Sequence, residues 1–129
     1  MEQNKLESLI KKIIDDNILL LDYADIEEIR KNSQKVEAIE LVERHADMKK
    51  KAQAAIEKIL LENEGYSLSS CLVSFDMRED NVMSTEEVRN LFDMDVLISC
   101  PRFKRGFKLN NDLEPGYMHV IFLLGLNKN

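Results

Sequence analysis

Glycine, proline, cysteine and tryptophan are all scarce in this chain of 129 residues: four, two, two and none. Glycines as few and as scattered as Gly65, Gly106, Gly116 and Gly125 exclude a backbone cradle for phosphates, and neither G-x-x-x-x-G-K-[ST] nor G-x-G-x-x-G occurs. The low glycine and proline content also excludes collagen-like and low-complexity classes. Cys71 and Cys100 alone cannot build a disulfide framework or a structural zinc site, so a reduced, cytoplasmic setting is expected. His45 and His119 lack metal-ligand spacing to each other or to a cysteine, and no serine or cysteine sits in a nucleophile elbow. No metal, no cofactor and no self-contained catalytic site are therefore expected. The longest apolar run, VIFLLGL at 120–126, is far too short to span a bilayer, and charges interrupt residues 1–20 where a signal peptide would be continuous.

Hydrophobic residues make up 44% of the chain and charged residues 33%, the balance of one folded domain of ordinary size. Charge is unevenly placed. The net value is −6, yet residues 101–129 carry +3 and the first hundred residues −9. The acidic bulk argues against general nucleic-acid binding and leaves room for one local basic patch.

Leu6, Leu9, Ile10, Ile13 and Ile14 recur at helical spacing, so residues 2–16 are expected to form an amphipathic helix. A short apolar run follows at 18–21. Asp25 and Glu28 form a D-x-x-E capping pattern that predicts a short helix from Ile26, ended by Asn32-Ser33. Residues 35–44 (KVEAIELVER) are ambiguous, with propensity favouring helix. A helix over 47–62 is predicted with Met48, Ala52, Ala55, Ile56, Ile59 and Leu60 on one face and Asp47 at its cap. Gly65 breaks the chain before a buried strand at 70–76. Ser84 to Glu87 is a capping box that opens a short helix to about Phe92. Residues 95–100 (DVLISC) are read as a second buried strand stopped by Pro101, followed by a polar loop to the Pro115-Gly116 turn. The last strand, 117–125, is apolar on both faces and so central. The last two strands are expected to pair antiparallel. Met48, Met94 and Met118 are expected to fill the core. His119 is read as a core or edge histidine with one hydrogen bond. Lys11-Lys12 and Lys49 to Lys51 are read as solvated helix faces.

Several strings, in order and at matching spacing over about residues 5–126, resemble the C-terminal half of FtsZ, the bacterial relative of tubulin. Leu20-Leu21-Asp22-Tyr23-Ala24-Asp25-Ile26 resembles that family's N-x-D-F-A-D-V string. Ala52 to Ile56, with Leu60-Leu61-Glu62, resembles its A-x-x-A-A-x-x-A-I helix and the following P-L-L-E. Cys71 to Phe75 resembles the strand G-x-L-V-N-I, and Ser84 to Val88 the helix start L-T-L-E-E-V. Segments 95–100 and 119–125 resemble the two closing strands.

The resemblance implies an α+β fold, a four-stranded mixed sheet backed by helices. It implies one domain over 1–129, with 1–17 a remnant of the connecting helix and 18–126 the core. It also assigns residues 35–42 to a strand. The family's GTP pocket lies in a half that precedes this region, so no GTPase activity of the chain's own is expected. In FtsZ filaments the loop matching residues 20–25 docks onto the nucleotide of the next subunit, and its two aspartates orient the attacking water. Asp22 and Asp25 match them, which implies a possible trans contribution. Leu20 stands where the family has asparagine; an apolar side chain replacing a hydrogen-bonding one argues against that chemistry. The structural alternative makes Asp25 a helix N-cap, worth about 1 kcal/mol, and Asp22 a solvated turn residue.

Residues 102–108 set Arg102, Lys104, Arg105 and Lys108 around Phe103 and Phe107. Such a segment suits a phosphate-bearing or acidic partner, or the acidic face of another copy of the chain. The alternative is a solvated hairpin loop whose phenylalanines tuck onto the sheet. Together these readings predict a protein-interaction domain, partnered by an FtsZ-like polymer or by itself and capping or regulating it in division or the cytoskeleton. A homo-oligomeric scaffold of unrelated role is the further alternative.

Overall fold

The computed structural model describes residues 3–14 and 21–129. Leu6, Leu9, Ile10 and Ile13 line the buried stripe of α1 (Gln3–Ile13), as their spacing requires. Helix α2 (Tyr23–Lys31) follows, with Ile26 and Ile29 buried. Then come β1 (Lys35–Arg44), α3 (His45–Glu62), β2 (Tyr66–Met77), a 3-10 turn at Glu79–Asn81, α4 (Thr85–Leu91), α5 (Asp95–Ile98), β3 (Arg102–Leu109) and β4 (Tyr117–Lys128).

The four strands form one mixed sheet in the order β1-β4-β2-β3. Strand β4 pairs antiparallel with both β1 and β2, and β2 pairs parallel with β3. A parallel neighbour needs a crossover, which α4 and α5 supply. Because β4 is central and covered on both sides, it reads as an unbroken apolar run. Met118, Val120, Phe122 and Leu124 enter one core cluster, and Ile121 and Leu123 the other. The first cluster, beneath α3, α4 and α5, holds Met48, Ala52, Ile56, Phe75 and Phe92. The second, beneath α1 and α2, holds Leu9, Ile13, Ile26, Ala38 and Leu72.

Residues 35–44 are a strand throughout, paired to β4 from Lys35 opposite Leu126 to Arg44 opposite Tyr117. Their helical propensity is overridden by that pairing and by burial of Ala38 and Ile39 on opposite faces. Positive φ angles at Gly65 (87°) and Gly116 (85°) let the chain turn into β2 and β4, a backbone region other residues resist. Met48, Met94 and Met118 are fully buried.

Several expectations are corrected. Residues 95–100 are not a strand: 95–98 form α5, in which Leu97 is buried while Ile98 is 70% exposed. Leu97 and the half-buried Val96 turn inward while Asp95 and Ile98 face out, which suits a helical turn, and Pro101 then releases the chain. The strand in this position is the basic segment itself, because R-F-K-R-G-F-K alternates with the period of a half-buried strand. It is not a loop. Strands β3 and β4 do not pair, since β2 lies between them. Helix α2 begins at Tyr23 rather than Ile26, and its N-cap is Asp22, not Asp25. The N-cap of α3 is Arg44, and Asp47 sits within the first turn.

Candidate functional site

Alternation along β3 sends its side chains to two destinations. Phe103 and Phe107 turn towards the α3 side, where Phe107 stacks on Phe75 with centroids 5.8 Å apart and Phe103 tilts against Phe92, also at 5.8 Å. Arg105 shares that face and is half-buried. Arg102, Lys104 and Lys108 point to the opposite side, where α1 and α2 lie. The Nζ of Lys108 donates to the Lys12 carbonyl at 2.6 Å, a cation at the negative C-terminal end of α1.

The start of α2 meets this basic row. Asp22 caps the helix: its Oδ1 accepts from the Asp25 amide at 3.3 Å, while the Asp22 amide donates to Asp25 Oδ2 at 2.9 Å. This reciprocal box satisfies backbone donors left open by the helix start. The second oxygen of Asp25 receives Lys104 Nζ at 2.5 Å. Burial pushes the Asp25 carboxyl up, but the Lys104 hydrogen bond, the Asp22 amide and the Lys104 charge outweigh it and hold it below the usual carboxylate range. The hydrogen bond to Asp25 raises Lys104 in turn. One turn further along α2, Glu28 lies 3.6 Å from Arg102, both well exposed. Segments some eighty residues apart thus form one surface of mixed charge. Leu20 lies outside the described residues.

Between α2, the middle of β2 and the first residues of β3 runs an open cleft of about 760 Å³, edged by Asp25, Glu28, Asn32, Ser70, Arg102 and Lys104. Nearby, Gly125 of β4 has no space for a side chain: a Cβ there would come within 2.2 Å of Ser70 Oγ and 2.3 Å of Ser33 Oγ. Both hydroxyls are buried without a hydrogen-bond partner among the described residues.

A second charged cluster escaped the sequence reading. His119 makes two contacts with carboxylates, not one hydrogen bond: Nδ1 lies 3.2 Å from Asp76 Oδ2 and Nε2 2.8 Å from Glu40 Oε2. Lys12 pairs with the same Glu40 oxygen at 2.9 Å, and Asn110 reaches Asp76 at 3.3 Å. Lys12 is therefore more than a solvated residue. Its charge, with those of Glu40, His119 and Asp76, links α1 to β1, β4 and β2. The hydrogen bond to Asp76 raises the His119 pKa against the opposing effect of burial, with Glu40 adding to the rise. No signal in the sequence marked this cluster, because Asp76 becomes the direct cross-strand partner of His119 only once the register of β2 and β4 is set.

No protein-family model and no curated protein matches the chain. Solved structures do. An empty FtsZ dimer from M. jannaschii superposes with a TM-score of 0.60 at 18% identity, covering 97% of this chain and 40% of the FtsZ chain. The fold is that of the C-terminal part of FtsZ. A point mutant of the same FtsZ matches with a TM-score of 0.61 at 18% identity, covering 98% of this chain and 42% of that one. The chain thus spans about two-fifths of the FtsZ length it matches. Among the described residues no cluster of His, Cys, Asp or Glu could hold a metal ion, and no helix is long and apolar enough to cross a membrane. Both cysteines are free thiols, Cys71 buried and Cys100 half-buried.

Proposed function

We propose that this domain is a non-enzymatic protein-interaction module that docks onto an FtsZ-like polymer, or onto a further copy of itself, through the surface shared by α2 and β3. The observation that carries this reading is the meeting of the Asp22–Asp25 segment with the basic strand. Asp25 with Lys104, and Glu28 with Arg102, form an alternating charged rim around an open cleft. Exposed charges of both signs select a partner and its orientation more than they supply affinity. The FtsZ-like fold supports this partner class, because the resemblance of residues 20–25 to the FtsZ loop implies a segment that docks onto the next subunit. A domain presenting that surface, with no phosphate cradle in its sequence, acts as a cap that blocks further addition. The test is sedimentation of FtsZ filaments with sub-stoichiometric domain. Polymer in the pellet is expected to fall, and unchanged pelleting rules out the FtsZ-like polymer as the partner.

The capping geometry weighs against completion of a GTPase site in trans. Asp22 and Asp25 already bind backbone amides, and Asp25 also binds a lysine. FtsZ GTPase rates measured with wild-type domain and with Asp22→Ala or Asp25→Ala are expected to agree once matched for bound polymer. A selective loss in the variants favours the trans-catalytic reading instead.

A further inference from the structure

Among the described residues both edges of the sheet are open: strand β1 pairs only with β4, and β3 only with β2. Open edges present unpaired backbone groups that another strand can take up. Here the two edges are complementary rather than alike. Strand β1 carries Glu37, Glu40 and Glu43; β3 carries Arg102, Lys104, Arg105 and Lys108. Most of these charges are engaged within the chain. Glu43 and Arg105 are different: among the described residues neither has an ion-pair partner, and both are half-buried. Strand parity puts them on the same face of the sheet, the α3 side, at opposite edges.

Strand direction fits as well. Strands β1 and β2 each run antiparallel to β4, and β3 runs parallel to β2, so β1 and β3 point the same way. A second copy in the same orientation can therefore lay its β1 beside β3 as a parallel neighbour. With Arg105 opposite Glu43, Arg102 falls opposite Glu40 and Phe103 opposite Leu41. All three pairings keep each side chain on its own face. Each edge also leaves an apolar side chain uncovered, Val42 at 54% and Leu109 at 47% exposure.

From this complementarity we infer that the domain self-associates head to tail, the β1 edge of one copy extending the sheet of the next at β3, with Glu43 and Arg105 forming the selecting ion pair. The inference rests on the interaction reading and names a second copy as the partner. Such a contact is heterologous, so with a sheet twist of about −20 to −25° per strand it propagates as a helical array rather than closing into a dimer.

The test is analytical ultracentrifugation of the whole chain over a concentration series. Wild type is expected to associate with rising concentration, and less so at high salt. Glu43→Arg and Arg105→Glu should each weaken association about ten-fold, because like charges then face each other across the junction. Mixing the two single variants restores attraction at every junction, and so does the double variant. This recovery separates a lost interface from lost folding. Wild type that stays monomeric throughout, or single variants that associate as wild type does, would overturn the inference. So would native-like circular dichroism in both variants without recovery on mixing. FtsZ pelleting separates the two ideas: wild type that self-associates but leaves FtsZ polymer unchanged removes FtsZ as the partner in the functional proposal and leaves this one standing.

Discussion

The two faces of the sheet are built on different principles. The α3 side is dry and aromatic: Phe75, Phe92 and Phe122 pack with Met48, Met77, Met94 and Met118, all buried. The α1 side is apolar for only part of its extent. Beyond Leu72, Ile121 and Leu123 it gives way to Glu40, Asp76, His119 and the basic row of β3. Away from its edges, where Lys35 pairs with Glu37 and Glu43 and Arg105 stand half-buried, this face is held by dispersion and burial. A face that mixes aliphatic packing with paired charges holds two helices in place and keeps polar groups available at its rim. The cost of that arrangement is sensitivity to pH and salt, greater than on the aromatic face.

Three measurements would break or sharpen this contrast, in descending order of effect. Phe122→Ala removes a fully buried ring that meets Phe92 edge-on at 6.2 Å, and should destabilise the domain by about 3–5 kcal/mol in urea unfolding. A smaller loss would mean that the dry face is loosely packed.

His119→Gln removes the imidazole between two carboxylates and should cost about 1–3 kcal/mol at a pH below about 6.5, where the ring is protonated. Here the pH profile decides. The folded-state pKa of His119 is raised, so its contribution is complete below the ordinary histidine value of about 6.5 and is lost as pH rises through the folded value. Wild-type stability should therefore decline relative to the variant from neutral towards alkaline pH, and thermal unfolding across that range checks it. Parallel profiles would remove His119 as the source of pH sensitivity.

Lys104→Ala should have the smallest effect, a slight loss, because the lysine side chain is 59% exposed and water screens its charge. The loss should shrink as salt is added. An effect that ignores salt would mean that the Lys104 stem packs on the sheet and that its charge contributes nothing.

Much of the fold was legible because it follows local rules. The stripe of α1, the face of α3, the Ser84–Glu87 box and the double-sided apolar run of β4 all survive into the structure. The failures cluster where local signals are equivocal. A stretch as short as DVLISC satisfies both a buried strand and a helical turn. Charge density concealed the two-residue period of β3, since four cations in seven residues look like a loop until the phenylalanines find a core. At the candidate surface, the sequence singled out both halves but kept them apart. Nothing local indicates that Lys104 reaches Asp25, or that Glu40 and Asp76 flank His119.

What the sequence alone determined is the alternation of elements, the apolar faces that must be buried and the capping residues, because each depends on neighbours within a few positions. The tertiary structure alone decided which charges meet, which strands are edges and which carboxylates share a histidine. Those outcomes depend on strand order and register, and sheet pairing joins residues that lie far apart along the chain.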